Sequence, residues 1–274
     1  MRAVSRRTQE LRENETGRMS RSNLAIAANV ALALVCLAAP AVRAQDSVEE
    51  RLSYDRLAPI VPGVYVAGDR IGFSLDASGG EYLLRMDGTP EVFVLYPARA
   101  SLGGRVLKYD SGETAMLVAG WGGMTLYTDA QPGGLPAVRT GDSIPPSPPS
   151  VSLSEMQAAA GDDGQRLGYV RHLNLNFTAD WNALSGDSTM RAFAYDAMEN
   201  AARGLDRFAA FGPARDALAR KVSVIAMQTN SRPTIVLNGK TLVVTYNAGR
   251  GFEGRASSRA IAHALSTLLS VPQK

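Results

Sequence analysis

Three short stretches carry residue types whose spacing suits ligand chemistry. The first is "GRGFEGRASSR" (249–259), with Arg250, Arg255 and Arg259 around a glycine-rich loop that runs into a helix start at Ser257 or Ser258. Free backbone N–H groups at a helix N-terminus, flanked by guanidinium groups, suit an anion. The plainer alternative is a polar loop with a serine cap. The second is "YVRHLNLNF" (169–177), where alternation puts His172, Asn174 and Asn176 on one face and Leu173, Leu175 and Phe177 on the other. That polar face could hydrogen-bond a ligand, although any half-wet strand has a polar side. The third is "AGWGGMTLYTDAQPGG" (119–134), where Trp121 sits among Gly120, Gly122 and Gly123. Glycines beside strands usually serve the backbone, so a tight turn is favoured over an exposed sugar- or peptide-stacking platform.

Several chemistries have no support. The chain has 2 histidines and no HExxH or paired Cys/His spacing, so no metal site is expected. No G-x-S-x-G elbow, S-x-x-K or phosphate-loop lysine is present, and no cofactor is expected. "ALSGDS" (183–188) reads as turn and helix cap, "GDDGQ" (161–165) as a solvated turn, and His263 as a surface histidine. A carboxylate pair for hydrolysis stays open, because spacing along the chain does not say which acids approach each other.

The overall charge of +3 suggests a basic protein, but residues 1–44 hold seven arginines and three glutamates. The rest of the chain carries 22 basic and 23 acidic residues, a net charge of −1, which gives no support to nucleic-acid binding. Residues 1–44 read as an N-terminal extension and signal peptide: Arg21 precedes the apolar run "NLAIAANVALALVCLAA", and "VRAQ" offers cleavage near Ala44. Met19 is the more natural start, and the run is short for a retained span. A periplasmic or secreted location is expected. Cys36, the only cysteine, would leave with the leader, so neither disulfides nor thiol chemistry is expected in the mature chain.

Residues 45–60 form a polar lead-in with a hint of a short helix. Period-two strands follow at 64–68, 71–75, 81–86, 91–96, 105–109, 114–119 and 124–128, separated by Gly, Asp and Pro turns. This predicts an antiparallel β meander over 61–139, closed as a small barrel or a sandwich. Two hairpins share a turn grammar, "LLRMDGTPEVFVL" (83–95) and "VLKYDSGETAMLV" (106–118). "TGDSIPPSPPS" (140–150) is a proline-rich linker. Residues 151–274 predict an α+β unit with a short antiparallel sheet. Its expected elements are a short helix over "SLSEMQAAA", a long helix ended by Gly212-Pro213, strands near 221–227, 233–237 and 240–246, an Asn238-Gly239 hairpin and a terminal amphipathic helix burying Ile261, Leu265, Leu268 and Leu269.

Four strings, "LLRMDGTPEVFVL", "YDSGE", "GGMTLYTDAQPGGLPA" and "GRASSRAIAHAL", together resemble an uncharacterised family of exported alphaproteobacterial proteins known only as a domain of unknown function. The resemblance implies export and covers most of the mature chain, and it brings no catalytic residues. The expected function is a non-catalytic envelope module that binds a protein, glycan or small ligand through Trp121, the His172–Asn174–Asn176 face or the arginine loop. An envelope hydrolase using unrecognised carboxylates or His172 is the alternative, and an assembly protein offering strand edges is a second one.

Overall fold

A computed structural model describes residues 59–272, all of which fall within one compact unit, Asp55–Lys274. The expected signal peptide with its Cys36, the expected cleavage position at Ala44 and nearly all of the polar lead-in lie outside the described residues.

Eight strands form a closed antiparallel barrel in simple meander order: β1 (Gly63–Ala67), β2 (Ile71–Ser78), β3 (Glu81–Met86), β4 (Val92–Arg99), β5 (Arg105–Tyr109), β6 (Thr114–Val118), β7 (Met124–Thr128) and β8 (Gln131–Gly141). Alternate residues point inward, as the pleat requires. Phe73, Leu75, Leu84, Leu95, Leu107, Met116 and Leu126 fill the interior with no exposed surface. The tight turns are those the sequence implies, with positive φ at Gly88 (77°) and Gly112 (89°). The apolar doublet Leu83-Leu84 and the run Val92–Leu95 break the alternation for a packing reason. Leu83, Val92 and Val94 point outward and are buried in a separate cluster against Phe252 of the C-terminal part.

The closing strand β8 was not expected from a segment holding Pro132, Gly133, Gly134 and Pro136. Its first half pairs with β7 and its second half with β1, so the prolines sit where only one ladder must be satisfied. The Pro-Gly-Gly string is therefore strand, and the connection from β7 is made at Asp129-Ala130.

The C-terminal part contains α1 (Leu153–Arg171), β9 (Asn176–Ala179), α2 (Trp181–Ser185), α3 (Ser188–Ala209), α4 (Gly212–Lys221), β10 (Val224–Thr229), β11 (Ile235–Asn238), β12 (Thr241–Tyr246) and α5 (Ser258–Leu269). The fold is α+β overall, but this sheet is mixed and not purely antiparallel. Its order is β11-β12-β10-β9, with β10 parallel to both neighbours and only the β11–β12 hairpin antiparallel. Helix α1 is longer than expected and runs straight through "GDDGQ". Gly164 has a packing role: a Cβ there would stand 2.7 Å from the Leu175 carbonyl oxygen. A Ser152–Glu155 capping box starts this helix. Gly212-Pro213 opens α4 and does not merely end α3, because proline suits a helix's first turn. Leu268 is partly exposed, whereas Ile261 and Leu265 are fully buried.

Candidate functional site

The polar residues that meet across the molecule lie on the seam between barrel and helices. Three connections at one end of the barrel supply carboxylates. Glu91 comes from the β3–β4 connection, Asp110 and Glu113 from β5–β6, and Asp129 from β7–β8. Facing them is the segment that contains Arg250, Arg255 and Arg259. It begins as a 3-10 turn over Ala248–Gly254, folded so tightly that a Cβ on Gly254 would stand 1.9 Å from the Asn247 carbonyl oxygen.

Ser257 caps α5 by accepting from the Ala260 N–H at 3.2 Å. The Ser257 N–H donates to Asp110 at 2.7 Å, and the Ser257 hydroxyl donates to the same carboxylate. Ser258 repeats the pattern with Glu91, donating its N–H and its hydroxyl at 2.7 Å each. The N-terminus of α5 is thus occupied by the barrel's own carboxylates, where the sequence suggests a ligand anion.

The arginines are paired in the same way. Arg255 is buried, pairs with Asp196 of α3, donates to the Val92 carbonyl oxygen at 2.7 Å and lies 5.3 Å from the Phe252 ring centre. Arg259 donates to Glu113 at 2.7 Å and to Asp129 at 2.5 Å, with its guanidinium 4.5 Å from the Tyr109 ring centre. Asp129 also accepts from Arg207 of α3. Behind this contact, buried Asn200 donates to the Ala256 carbonyl oxygen at 3.2 Å and accepts from Arg203 at 3.0 Å. Arg250 stays outside this cluster and pairs with its near neighbour Glu253.

The electrostatics separate these carboxylates. Burial raises the pKa of Glu91 against the opposing pull of the Ser258 hydrogen bonds and Arg255. Asp110 is exposed as a residue, yet its carboxylate is enclosed against Ser257, and that desolvation raises it too. Burial would also raise Asp129, but the hydrogen bonds and charges of Arg259 and Arg207 outweigh it and lower its pKa.

Around this cluster the seam opens into a cleft with polar groups from both sides. One cavity of about 610 Å³ is bordered by Glu91, Tyr109 and Thr128 of the barrel and by Arg203, Arg207 and Arg259 of the helices. An adjoining cavity of about 390 Å³ shares Asp129, Arg207 and Arg259 and has an apolar wall that includes Phe208, Phe211 and Pro272.

The other expected site residues lie elsewhere. His172 is not on a strand: it ends α1 in the left-handed conformation (φ 58°), with its N–H donating to the Gly168 and Leu167 carbonyl oxygens. The alternation beyond it is real, with Leu173, Leu175 and Phe177 buried and His172, Asn174 and Asn176 exposed, although β9 begins only at Asn176. These three polar residues line one shallow, open groove beside the α1 glycines, and no acid or hydroxyl residue is among its lining residues. Trp121 is 83% exposed on the β6–β7 turn, which closes through Ala119 and Gly123. It is both a turn residue and an exposed aromatic. Among the described residues, no group of three or more His, Cys, Asp or Glu side chains could hold a metal ion, and no helix is long and apolar enough to cross a membrane.

Sequence reasoning did not single out Glu91, Asp110, Glu113, Asp129 or Arg207. The available signal was the repeated hairpin grammar, since both turns end in a glutamate, Glu91 and Glu113, that reaches the seam.

Fold and site together define an α+β protein in which a closed meander barrel is docked by carboxylates onto a helix-covered mixed sheet. The chain belongs to the family described as a domain of unknown function, DUF4908, whose model matches residues 43–265. No curated protein and no solved structure shows significant similarity to it.

Proposed function

We propose that this chain is an exported, non-catalytic binding protein whose ligand sits in the seam cleft. The carrying observation is the pair of adjoining cavities at Asp129, Arg207 and Arg259, which combine charged groups from both parts with an apolar wall at Phe208, Phe211 and Pro272. That mixture suits a small ligand or glycan fragment with a polar head and an apolar edge. The signal-like leader supports export. The binding reading is favoured over catalysis because Glu91 and Asp110, the carboxylates with raised pKa, each accept two hydrogen bonds from α5 and hold the seam together. His172, the residue named for a hydrolase, lies in a different groove.

The test is a thermal-shift screen of the mature chain against defined envelope glycan fragments and amphipathic small molecules. A true ligand at about 100 times its Kd stabilises by about 2.7 kcal/mol, and Arg207→Ala should abolish the shift. A ligand whose effect survives both Arg207→Ala and Phe211→Ala would move the site out of the cleft. One observation favours the hydrolase reading, namely that Glu91 borders the larger cavity with a raised pKa. Turnover of a hit that is lost in Glu91→Gln would decide for it.

A further inference from the structure

The mixed sheet has two edges. At one of them α1 packs along β9. At the other, β11 pairs with β12 and with no further strand among the described residues. The Thr245 N–H donates to the Thr234 carbonyl oxygen at 2.9 Å, which sets the alternation of this antiparallel ladder. The backbones of Val236 and Asn238 face β12, and those of Ile235 and Leu237 face outward. These outward N–H and C=O groups make no hydrogen bond among the described residues. The strand itself, IVLN, has neither charge nor proline. Val236 is 45% exposed on the sheet face away from the helices. With Thr178, Ala226 and Val243 it makes an uncharged row across that face, and none of the four belongs to the helix-side core.

The charge around this edge has one sign. No acid stands between Asp216 and Glu253, a stretch that supplies the whole of β10, β11 and β12. α5, which packs against β11, has none either. Exposed Arg232 and Lys240 flank β11. The Lys240 carbonyl oxygen accepts from the Ser223 N–H at 2.9 Å, which brings exposed Lys221 to the same end. None of these three cations is in an ion pair among the described residues. The neighbouring acids are engaged. Asp216 pairs with Arg215, and Glu253 pairs with Arg250 and lies against the barrel, 3.4 Å from a Cβ placed on Gly79. Asp180 and Asp187 cap α2 and α3.

We infer that β11 accepts an extended acidic peptide as a fifth strand of this sheet. Outward backbone groups at every second residue recognise main chain, which neither a glycan nor a lipid headgroup presents at strand spacing. The flanking bases select Asp or Glu at the ends of the added strand, and Val236 offers contact to an apolar residue between them. Basic residues on an edge commonly deter pairing, but here they flank the strand without interrupting it. They do act against a second copy of the chain. The antiparallel self-pairing that uses both outward residues, Ile235 with Leu237 of the copy, sets Arg232 opposite Lys240. The surface is separate from the seam, since no residue of β10, β11 or β12 borders either seam cavity.

The experiment is fluorescence anisotropy of the mature chain with the fluorescein-labelled peptide DEVTVTVDE. Two control peptides accompany it. KKVTVTVKK reverses the charge, and DEVTPTVDE keeps the charge but puts proline where main-chain pairing is needed. The expected result is saturable binding of the first peptide that weakens with salt, with both controls at least about tenfold weaker. Arg232→Glu and Lys240→Glu should each weaken binding by about three- to tenfold. Hydrogen exchange should show that the peptide protects the Ile235 and Leu237 amides and adds nothing at Val236, whose N–H already faces β12. Equal binding of the proline peptide, or no added protection at Ile235 and Leu237, would overturn the inference, because charge alone would then explain the affinity. So would absence of saturable peptide binding, with or without capture of the chain by phosphatidylglycerol vesicles. A concentration-dependent dimer that protects the same two amides would overturn it as well, by making a second copy the occupant.

Discussion

At the seam end of the barrel, three connections present carboxylates that are met by serines and arginines of the helical part. At the other end, two turns of similar tightness present a leucine and a tryptophan that are exposed and belong to no core cluster among the described residues. The strands between the two ends are the same strands. Turn geometry therefore does not decide what a barrel end does; the residue types placed on the turns do. Acids next to a helix N-terminus fix one end internally, whereas the apolar tips of the β4–β5 and β6–β7 turns stand exposed at the other.

The contrast makes the seam end the costly one to disturb. Arg255→Ala should destabilise by about 3–5 kcal/mol in chemical denaturation, because it leaves Asp196 buried without its ion pair. Replacing both partners, as Arg255→Met with Asp196→Leu, should cost clearly less. If the double variant is as unstable as the single one, packing rather than the unpaired charge is responsible.

A pair of glycines carries the comparison further. Gly204 on α3 lies where a Cβ would stand 2.7 Å from the Ile261 side chain and 2.9 Å from the Ser258 carbonyl oxygen. Gly204→Ala should push α5 off the seam at about 1–3 kcal/mol. At the free end, Gly122 has φ 94° and open space around its Cβ position. Gly122→Ala should cost only the backbone strain, about 1–2 kcal/mol. Equal effects at both positions would show that α5 can shift without loss.

The pH response should also be a seam property. The folded pKa of Glu91 is raised above its ordinary 4.5, so the folded state takes up this proton more readily than the unfolded chain. Its stabilising contribution is full below 4.5 and is lost as pH rises through the raised folded value. Asp129 behaves oppositely: its folded pKa lies below the ordinary 3.8, so its contribution is present above 3.8 and is lost as pH falls through the lowered value. On acidification from neutrality, Tm should first rise and then fall. Glu91→Gln should flatten the rise only in part, since Asp110, Asp163 and Glu199 are raised as well. An unchanged rise in Glu91→Gln would remove Glu91 from this account.

The period-two strands were legible because the pleat writes its alternation into the sequence, and EYLLRM, RVLKY and MTLYT end where their strands end. The misses share a cause in glycine and proline, which mark a break only when read locally. β8 tolerates its prolines because each half of the strand has one partner, and α1 keeps Gly164 and Gly168 because the Leu173–Leu175 backbone lies against them. The arginine loop was likewise half legible. Helix cap and guanidinium groups were visible by spacing, but Asp110 and Glu91 lie 147 and 167 residues before the serines that bind them. Separations of that size leave no periodic trace in the sequence.

The smallest expected effect tests the free end. Trp121 makes no ring–ring or cation–π contact and belongs to no core cluster among the described residues. Its ring does cover Gly123, where a Cβ would stand 3.1 Å from the indole nitrogen. Trp121→Ala should therefore change stability by no more than about 0.5 kcal/mol, as for an ordinary surface substitution. A loss above about 2 kcal/mol would mean that the tryptophan holds the β6–β7 turn closed, and the asymmetry between the two ends would then be one of degree. A neutral result would leave a large aromatic residue that folding does not require, which is the condition for assigning it to an external contact.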